Sequence, residues 1–291
     1  MSKQLFWVLL CCLAACGGSA ADAPSEPVDE TLRRETNAGQ LAFQLERPEE
    51  AIARYREALK RAQARDDLAA IGDLGYNLAV AELGANHPDK ALEVARATAQ
   101  EVERRGSVPF AGLTLVEATA LYRSGDLVGA DELARKTASS TDKQAAERAT
   151  FLLGLIADDR GDEAGLTAAA GALKNAVDPS LQADAAELDA RLSLRKKDFA
   201  GARQEAEQAG LLRQKTLDYR GLARVLALEG EAAEGAGDAE AAADLYLRAG
   251  RSGAAQGDEV SARKWLQKSA ELATDNSVRS AANELLSGLG T

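Results

Sequence analysis

Cysteine and histidine are almost missing from this 291-residue chain. All three cysteines lie within the first 16 residues, and His87 is the only histidine. The rest of the chain therefore has too few of these side chains for a zinc site or a cysteine–histidine catalytic pair. His87 lies in a predicted turn beside Pro88, where a surface residue needs no catalytic role. The acids Asp158, Asp159 and Asp162 lack the spacing of a calcium-binding loop, so the sequence predicts no metal, no cofactor and no enzyme.

A hydrophobic run long enough to cross a membrane is also missing. The longest apolar stretch, residues 5–15, has about 11 residues, whereas a spanning helix needs about 20. Lys3 precedes this stretch and small residues follow it, which is the layout of a secretory signal peptide. We expect residues 1–15 to be removed.

Basic residues are outnumbered by acidic ones, 35 against 46, which gives a net charge of −11. Removal of residues 1–15 takes away one lysine and no acid, and leaves −12. Such a surface repels nucleic acid and anionic lipid headgroups. The sequence therefore predicts no nucleic-acid partner, and membrane attachment would have to come from a lipid.

The segment 13–16, "LAAC", resembles the lipobox of bacterial lipoproteins. Cys11 and Cys12 would leave with the signal, so Cys16 has no second cysteine with which to form a disulfide in the mature chain. The resemblance implies cleavage before Cys16 and lipidation of its thiol, with three acyl chains in Gram-negative bacteria. Several chains make attachment stable where one chain binds weakly.

The residues after Cys16 predict a flexible tether. Residues 17–30, "GGSAADAPSEPVDE", combine glycine, serine, proline and acids with little to bury. Gly17 and Gly18 are not the aspartate that lipoprotein families associate with inner-membrane retention. The expected organisation is a signal at 1–15, a lipidated cysteine and tether at 16–30, and attachment to the outer membrane facing the periplasm.

From residue 31 onward the chain has apolar residues at helical spacing, and no alternating pattern typical of a strand. Hydrophobic residues make up 46% of the chain but aromatics only 4%, so alanine and leucine dominate. Turn signals recur, and Asp126, Asp162, Asp198, Asp238 and Asp258 are predicted to cap the helices that follow them. A small or apolar residue marks each unit at spacings of 36 to 40 residues: Ala51, Ala91, Ala130, Leu166, Ala202 and Ala242.

These units resemble tetratricopeptide repeats, whose ideal length is about 34 residues. The strongest matches are "YNLA" at 76–79 with "KAL" at 90–92, and the small and aromatic residues Gly230, Ala233, Gly237, Ala242, Tyr246 and Ala249. The resemblance implies an all-α fold, a right-handed α-solenoid of stacked helical hairpins. We expect about six hairpins over 31–254 and a capping hairpin over 255–291, with helices near 258–273 and 276–289. Trp265 and Leu266 are predicted to cover the end of the stack.

In tetratricopeptide domains the first helix of each unit lines a concave face that often holds a peptide. Alignment on the marker residues predicts this partner-binding face: Arg33, Asn37, Phe43, Tyr76, Asn77, Leu83, Leu115, Tyr122, Phe151 and Leu155. Asn37 and Asn77 share one repeat position, which in some family members clamps a carboxylate. The third unit has Gly112 and Val116 at the matching positions, so the clamp is incomplete. The later units present charges that we interpret as a solvated surface: Asp184, Glu187, Arg191, Arg195, Arg224, Glu231 and Glu234.

These patterns support two functional hypotheses. The first is a lipid-anchored periplasmic adaptor or scaffold that binds a protein or peptide during envelope assembly, and binds no small-molecule substrate. The alternative is a structural accessory subunit of an envelope enzyme or transport complex, without a peptide groove of its own. A hydrolase that uses acidic residues alone is a third, weaker hypothesis.

Overall fold

The computed structural model describes residues 29–289. Within this range the chain forms fourteen α-helices and no strand. The helices are α1 (Glu30–Gln44), α2 (Pro48–Ala64), α3 (Leu68–Gly84), α4 (Pro88–Arg104), α5 (Ala111–Arg123), α6 (Leu127–Ala138), α7 (Lys143–Asp159), α8 (Glu163–Leu173), α9 (Pro179–Arg195), α10 (Phe199–Lys215), α11 (Tyr219–Gly235), α12 (Ala239–Ala255), α13 (Glu259–Leu272) and α14 (Asn276–Gly288). The predicted fold class, an all-α solenoid of stacked helical hairpins, is confirmed. The predicted signal peptide, Cys16 and nearly all of the tether lie outside the described residues.

Aspartate begins most of these helices. The predicted caps at Asp126, Asp162, Asp198, Asp238 and Asp258 are confirmed, because each side chain accepts a hydrogen bond from a backbone N–H in the first helical turn. A cap of this kind contributes about 1 kcal/mol to helix stability.

His87 precedes α4 at the position where other helices carry their aspartate. It makes no capping bond through its side chain. Its ring is half-buried, and Nδ1 lies 2.9 Å from Oε2 of Glu82. The histidine therefore joins the end of α3 to the start of α4, and is less exposed than the sequence predicted.

Two layers of helices form the stack. Each helix packs against the next one in the chain, and α3, α5, α7 and α9 also each contact the next odd-numbered helix. In this part of the chain the odd-numbered helices therefore form the inner, concave layer, and the even-numbered helices form the outer layer. The pair α1 and α3 is more loosely packed than the odd-numbered neighbours from α3 to α11.

Small residues allow close approach at the helix contacts. A Cβ on Gly39 would lie 2.7 Å from the Tyr55 ring, and one on Gly230 would lie 3.1 Å from the Tyr246 ring. A Cβ on Gly154 would lie 2.6 Å from Leu188, which is fully buried. The repeated small positions thus place larger side chains of a neighbouring helix against the backbone, as interpreted from the sequence.

The helices α13 and α14 close the C-terminal end of the stack. Leu266 is fully buried against α12, where a Cβ on Gly250 would lie 2.5 Å from it. Trp265 lies against Gly253 of α12, and the buried Ser269 donates a hydrogen bond to the Ala243 carbonyl at 2.8 Å. Of the helices in residues 29–289, none combines the length and apolar character that crossing a membrane requires.

The solenoid coils back on itself. The turn between α3 and α4 meets the start of α11 and the turn between α12 and α13. Asn86 Nδ2 donates to the Gly257 carbonyl at 3.1 Å, and Arg220 donates to the carbonyls of Gly84 and Gln256 at 3.3 and 3.4 Å. Arg123 donates to the Leu83 carbonyl at 2.7 Å. Two guanidinium groups thus reach the C-terminal end of α3, where the helix dipole favours positive charge.

We expect Arg220→Ala to loosen this contact without unfolding the helices, because its hydrogen bonds to Asn86, Gly84 and Gln256 are long and join separate turns rather than residues of one helix. Spin labels at Lys90 and Glu259, in a variant whose three cysteines are serine, would measure the distance between the two turns. The distribution should broaden or shift in Arg220→Ala but not in Arg248→Ala, which removes a surface pair with Asp244. An unchanged distribution in Arg220→Ala would contradict its role in holding the coil closed.

Candidate functional site

An open groove of about 470 Å³ lies on the concave face between α1, α3 and the start of α5. We call it the inner groove. It is lined by three residues of α1, five of α3 and the residue before α5: Leu32, Thr36, Gln40, Ala70, Asp73, Leu74, Tyr76, Asn77 and Phe110. The loose packing of α1 against α3 leaves the space that this groove occupies.

Helical periodicity brings these side chains together. Thr36 and Gln40 follow Leu32 at four-residue intervals, so the three lie on one face of α1. The α3 residues Ala70, Asp73, Leu74 and Asn77 follow the same three- and four-residue spacing. The side chains of these two helical faces therefore line opposite sides of the groove.

Two aromatic rings form one wall. Tyr76 and Phe110 pack edge to face, with ring centroids 5.2 Å apart and planes at 67°. A Cβ on Gly112 would lie 2.9 Å from Phe110 Cε2 and 3.3 Å from Tyr76 Cε2. The glycine that makes the carboxylate clamp incomplete is thus the residue that leaves room for the two rings. Such a wall can bury an apolar side chain of a partner.

Three polar side chains of the groove have no hydrogen-bond or ion-pair partner in the described part of the chain. Within residues 29–289, the side chains of Gln40, Asp73 and Asn77 make no hydrogen bond or ion pair. Thr36 differs, because its hydroxyl donates to the Leu32 carbonyl at 2.8 Å. Two side-chain amides can therefore donate to and accept from the backbone of a bound peptide.

Several predicted binding residues lie elsewhere. Arg33 is exposed and pairs with Glu30 at 2.6 Å, and Asn37 is exposed and does not line the groove. Asn77 points towards α1, whereas the equivalent face of α1 has no preceding helix among the described residues. The shared repeat position therefore gives the two asparagines different surroundings.

Two of the predicted binding residues are core residues. Leu83 and Leu155 are buried, in hydrophobic clusters around Leu113 and Leu188 respectively. Their burial in the tight helix contacts leaves little surface for a partner, which argues against a direct contact. Leu115 is partly buried against the cluster of α5, α6 and α7, and Phe43 lies near Gly84 with 40% of its surface exposed.

Tyr122 and Phe151 lie further along the concave face, away from the inner groove. Tyr122 is half-buried between two hydrophobic clusters. Burial raises the pKa of its hydroxyl, and the nearby Asp159 carboxylate raises it further. The Phe151 ring lies under the guanidinium groups of Arg213 and Arg224, whose Cζ atoms are 5.5 and 5.8 Å from its centroid. Both aromatics border a charged region rather than an open surface.

That charged region is a network of ion pairs around Glu187, which we call the arginine network. Glu187 is fully buried and accepts hydrogen bonds from Arg191 at 3.1 Å, Arg213 at 2.8 Å and Arg224 at 3.0 Å. Three further carboxylates complete the network: Asp158 with Arg191 and Arg195, and Asp184 and Asp218 with Arg213. The interpretation of these charges as a solvated surface is wrong for Asp184, Glu187 and Arg191.

The two buried carboxylates of α9 differ in pKa. Burial alone would raise the pKa of Glu187, but Arg224, Arg191 and Arg213 together outweigh burial and lower it. For Asp184 burial dominates over its single partner Arg213, and raises its pKa to about 6. The Nε atoms of Arg191 and Arg213 are buried without a hydrogen-bond partner. The negative charge of Glu187 therefore offsets the free-energy cost of burying these arginines.

A second, larger cavity of about 930 Å³ opens between α4, α5 and α6. The linker before α5 and the end of α6 border it, and Phe110 lies between this cavity and the inner groove. Its lining mixes both charges with hydroxyl groups, and Arg96 pairs across it with Glu117 at 3.6 Å. The arginine network lies further along the chain, on α7 and α9 to α11, whereas the inner groove has polar side chains without a partner among residues 29–289.

Comparisons with known proteins find structural likeness alone. A scan against protein-family models and a search of curated proteins give no match. A tetratricopeptide repeat protein from Parabacteroides merdae ATCC 43184 superposes with a TM-score of 0.47 at 15% identity, over 88% of this chain and 98% of its own. The TPR2AB domain of yeast Sti1, in a complex with pHSP90, gives 0.35 at 18% identity, over 87% and 95%.

Sequence reasoning missed most of the groove. It selected Tyr76 and Asn77 but not Gln40, Asp73 or Phe110. The four-residue spacing of Leu32, Thr36 and Gln40 along α1 could have identified Gln40 as a groove residue. No periodic pattern could have identified Phe110, because the linker before α5 has no repeat equivalent.

Proposed function

We propose that this protein is a protein-interaction scaffold that holds a partner peptide in the inner groove. The observation that carries the proposal is the groove itself: an aromatic wall beside two unpaired amides, on the concave face of a helical solenoid. Solvent-accessible amides and half-exposed rings suit an extended or helical peptide better than a small polar substrate.

The lipid anchor is a further part of the proposal. It is supported by the lipobox resemblance at 13–16 and by the polar tether that follows. In this proposal Cys16 carries the lipid, and residues 29–289 extend from the outer membrane into the periplasm. The scaffold would then take part in assembly of an envelope complex.

The alternative is an accessory subunit in which the solenoid is purely structural. One observation favours it: ion pairs around Glu187 and the hydrogen bond from Arg220 to Gly84 join parts of the solenoid to one another rather than leaving them free for a partner. A partner would then dock on the outside of the solenoid, and the inner groove would stay empty.

Replacing Tyr76 and Asn77 with alanine distinguishes the scaffold proposal from the accessory-subunit alternative. The scaffold proposal predicts at least about tenfold weaker partner capture, because truncation of an aromatic anchor costs a binding site about 1–2 kcal/mol or more. Partner capture would be measured by crosslinking in the native cell followed by quantitative mass spectrometry. Circular dichroism should show unchanged helix content.

Tyr219→Ala is the matched control, since Tyr219 is a 39% exposed tyrosine on α11, outside the groove. It should leave capture unchanged. Full capture by the Tyr76 and Asn77 variant would instead support the accessory subunit.

A further inference from the structure

Asp73 is the single charged side chain that lines the inner groove. It is exposed on α3, and within residues 29–289 its carboxylate has no ion pair or hydrogen bond. No lysine or arginine lines the groove. On α1, Arg33 is already paired with Glu30 and Arg34 with Glu35. The groove therefore presents one uncompensated negative charge beside its apolar wall.

The charge of the groove determines the kind of peptide that it can hold. A lysine or arginine of the peptide can pair with Asp73, while a nearby apolar side chain packs on the rings of Tyr76 and Phe110. The carboxylate of a peptide C-terminus would meet Asp73 and be repelled. The net charge of −11 adds a long-range attraction for basic segments.

The positions of Asp73 and Tyr76 also limit the spacing between the basic and the apolar residue of the peptide. Asp73 and Tyr76 are three residues apart on one helix, about 4.5 Å along its axis. An extended peptide covers about 3.3 Å per residue and places alternate side chains on the same face. The basic and apolar residues of the partner should therefore be no more than two positions apart.

We infer that the inner groove selects a peptide segment in which a lysine or arginine lies within two residues of a large apolar side chain, and disfavours acidic segments and free C-termini. This inference rests on the proposed function, because it names the chemistry of the partner that the groove would hold. The carboxylate-clamp interpretation of Asn37 and Asn77 predicts the opposite charge.

Three labelled peptide pools test the selection. Each is an acetylated, amidated heptapeptide with phenylalanine at its centre, lysine, glutamine or glutamate at positions two and six, and alanine or serine elsewhere. Fluorescence anisotropy with the full-length protein in detergent would measure binding at low and high salt. The lysine pool should bind about tenfold more tightly than the glutamate pool, and the difference should shrink at high salt.

Replacing the charge of Asp73 tests the selection more directly than comparing the pools on the wild-type protein. Asp73→Lys should reverse the order of the pools, and Asp73→Asn should abolish the difference between them. Glu132→Lys makes the same change in net charge at an exposed position of α6 outside the groove, and should leave the order unchanged.

The possible outcomes distinguish the charge selection from the role of the groove as a peptide site. Equal binding of the three pools, lost in Tyr76→Ala, would overturn the charge selection and leave the groove as a peptide site. An unchanged order in Asp73→Lys would also overturn the selection. No binding of any pool to the wild-type protein would contradict both the selection and the groove as a peptide site.

Discussion

Replacing Glu187 with glutamine is expected to lower the free energy of unfolding by about 3–5 kcal/mol. The substitution keeps the size of the side chain but removes the negative charge that Arg191, Arg213 and Arg224 share. Two of these arginines already have a buried Nε without a partner. Loss of the carboxylate would leave Arg224 without its ion-pair partner, and would remove one partner each from Arg191 and Arg213. Urea unfolding followed by circular dichroism measures the difference.

The pH dependence of that difference has a definite sign. The folded-state pKa of Glu187 is lowered from its ordinary value of 4.5, so its stabilising contribution is fully present above about pH 4.5. As the pH falls below 4.5 the contribution declines, and wild type and Glu187→Gln should converge. Glu57→Gln, which removes an exposed pair with Lys60, should cost less than about 1 kcal/mol at any pH. A similarly small effect of Glu187→Gln would contradict the account of the arginine network.

Replacing Cys16 with serine is expected to move the protein from the membrane fraction to the soluble fraction, or to block its maturation. The thiol of Cys16 is the proposed attachment point for the lipid, and serine offers no thiol to the lipidating enzyme. The tether and the solenoid are too acidic to bind an anionic membrane by charge. Fractionation of cells followed by immunoblotting measures the change.

Cys11→Ser and Cys12→Ser are the matched controls. Both residues lie within the predicted signal, and their replacement should leave membrane attachment unchanged. If Cys16→Ser remained in the membrane fraction at the wild-type level, the lipoprotein proposal would be wrong.

The fold could be predicted because its signals are local. Aspartate caps, turn glycines and small residues at helix contacts all act within a few positions of the chain, and they recur at 36 to 40 residues. Asp126 and Asp258, for example, cap helices in the structure as the sequence predicted. The close approach of Gly230 to Tyr246 follows from the same local pattern.

The arginine network could not be predicted in the same way. Its central pairs join residues far apart in sequence, as Arg213 does with Asp184 and Arg224 with Glu187. They meet because α9 packs against α7, α10 and α11, which together carry the other members of the network. Sequence spacing places a charge on a face, but the curvature of the stack decides whether that face is solvated.

The inner groove was predictable in part for a related reason. Tyr76 and Asn77 were found because they belong to the best-matching repeat unit. Asn37 has the same repeat position but lies on α1, before which the described residues contain no helix to face it. Phe110 belongs to a linker outside the repeat, so no periodic argument reaches it.

The most direct test of the central claim places a photo-crosslinking amino acid at Gln40, inside the inner groove, in cells that produce the protein. The exposed Glu132 on α6 serves as the comparison position. We predict that irradiation joins a partner to the Gln40 position and not to the Glu132 position, and that Tyr76→Ala weakens this crosslink. A crosslink of equal strength at both positions, or none at Gln40, would contradict the claim that the inner groove holds the partner.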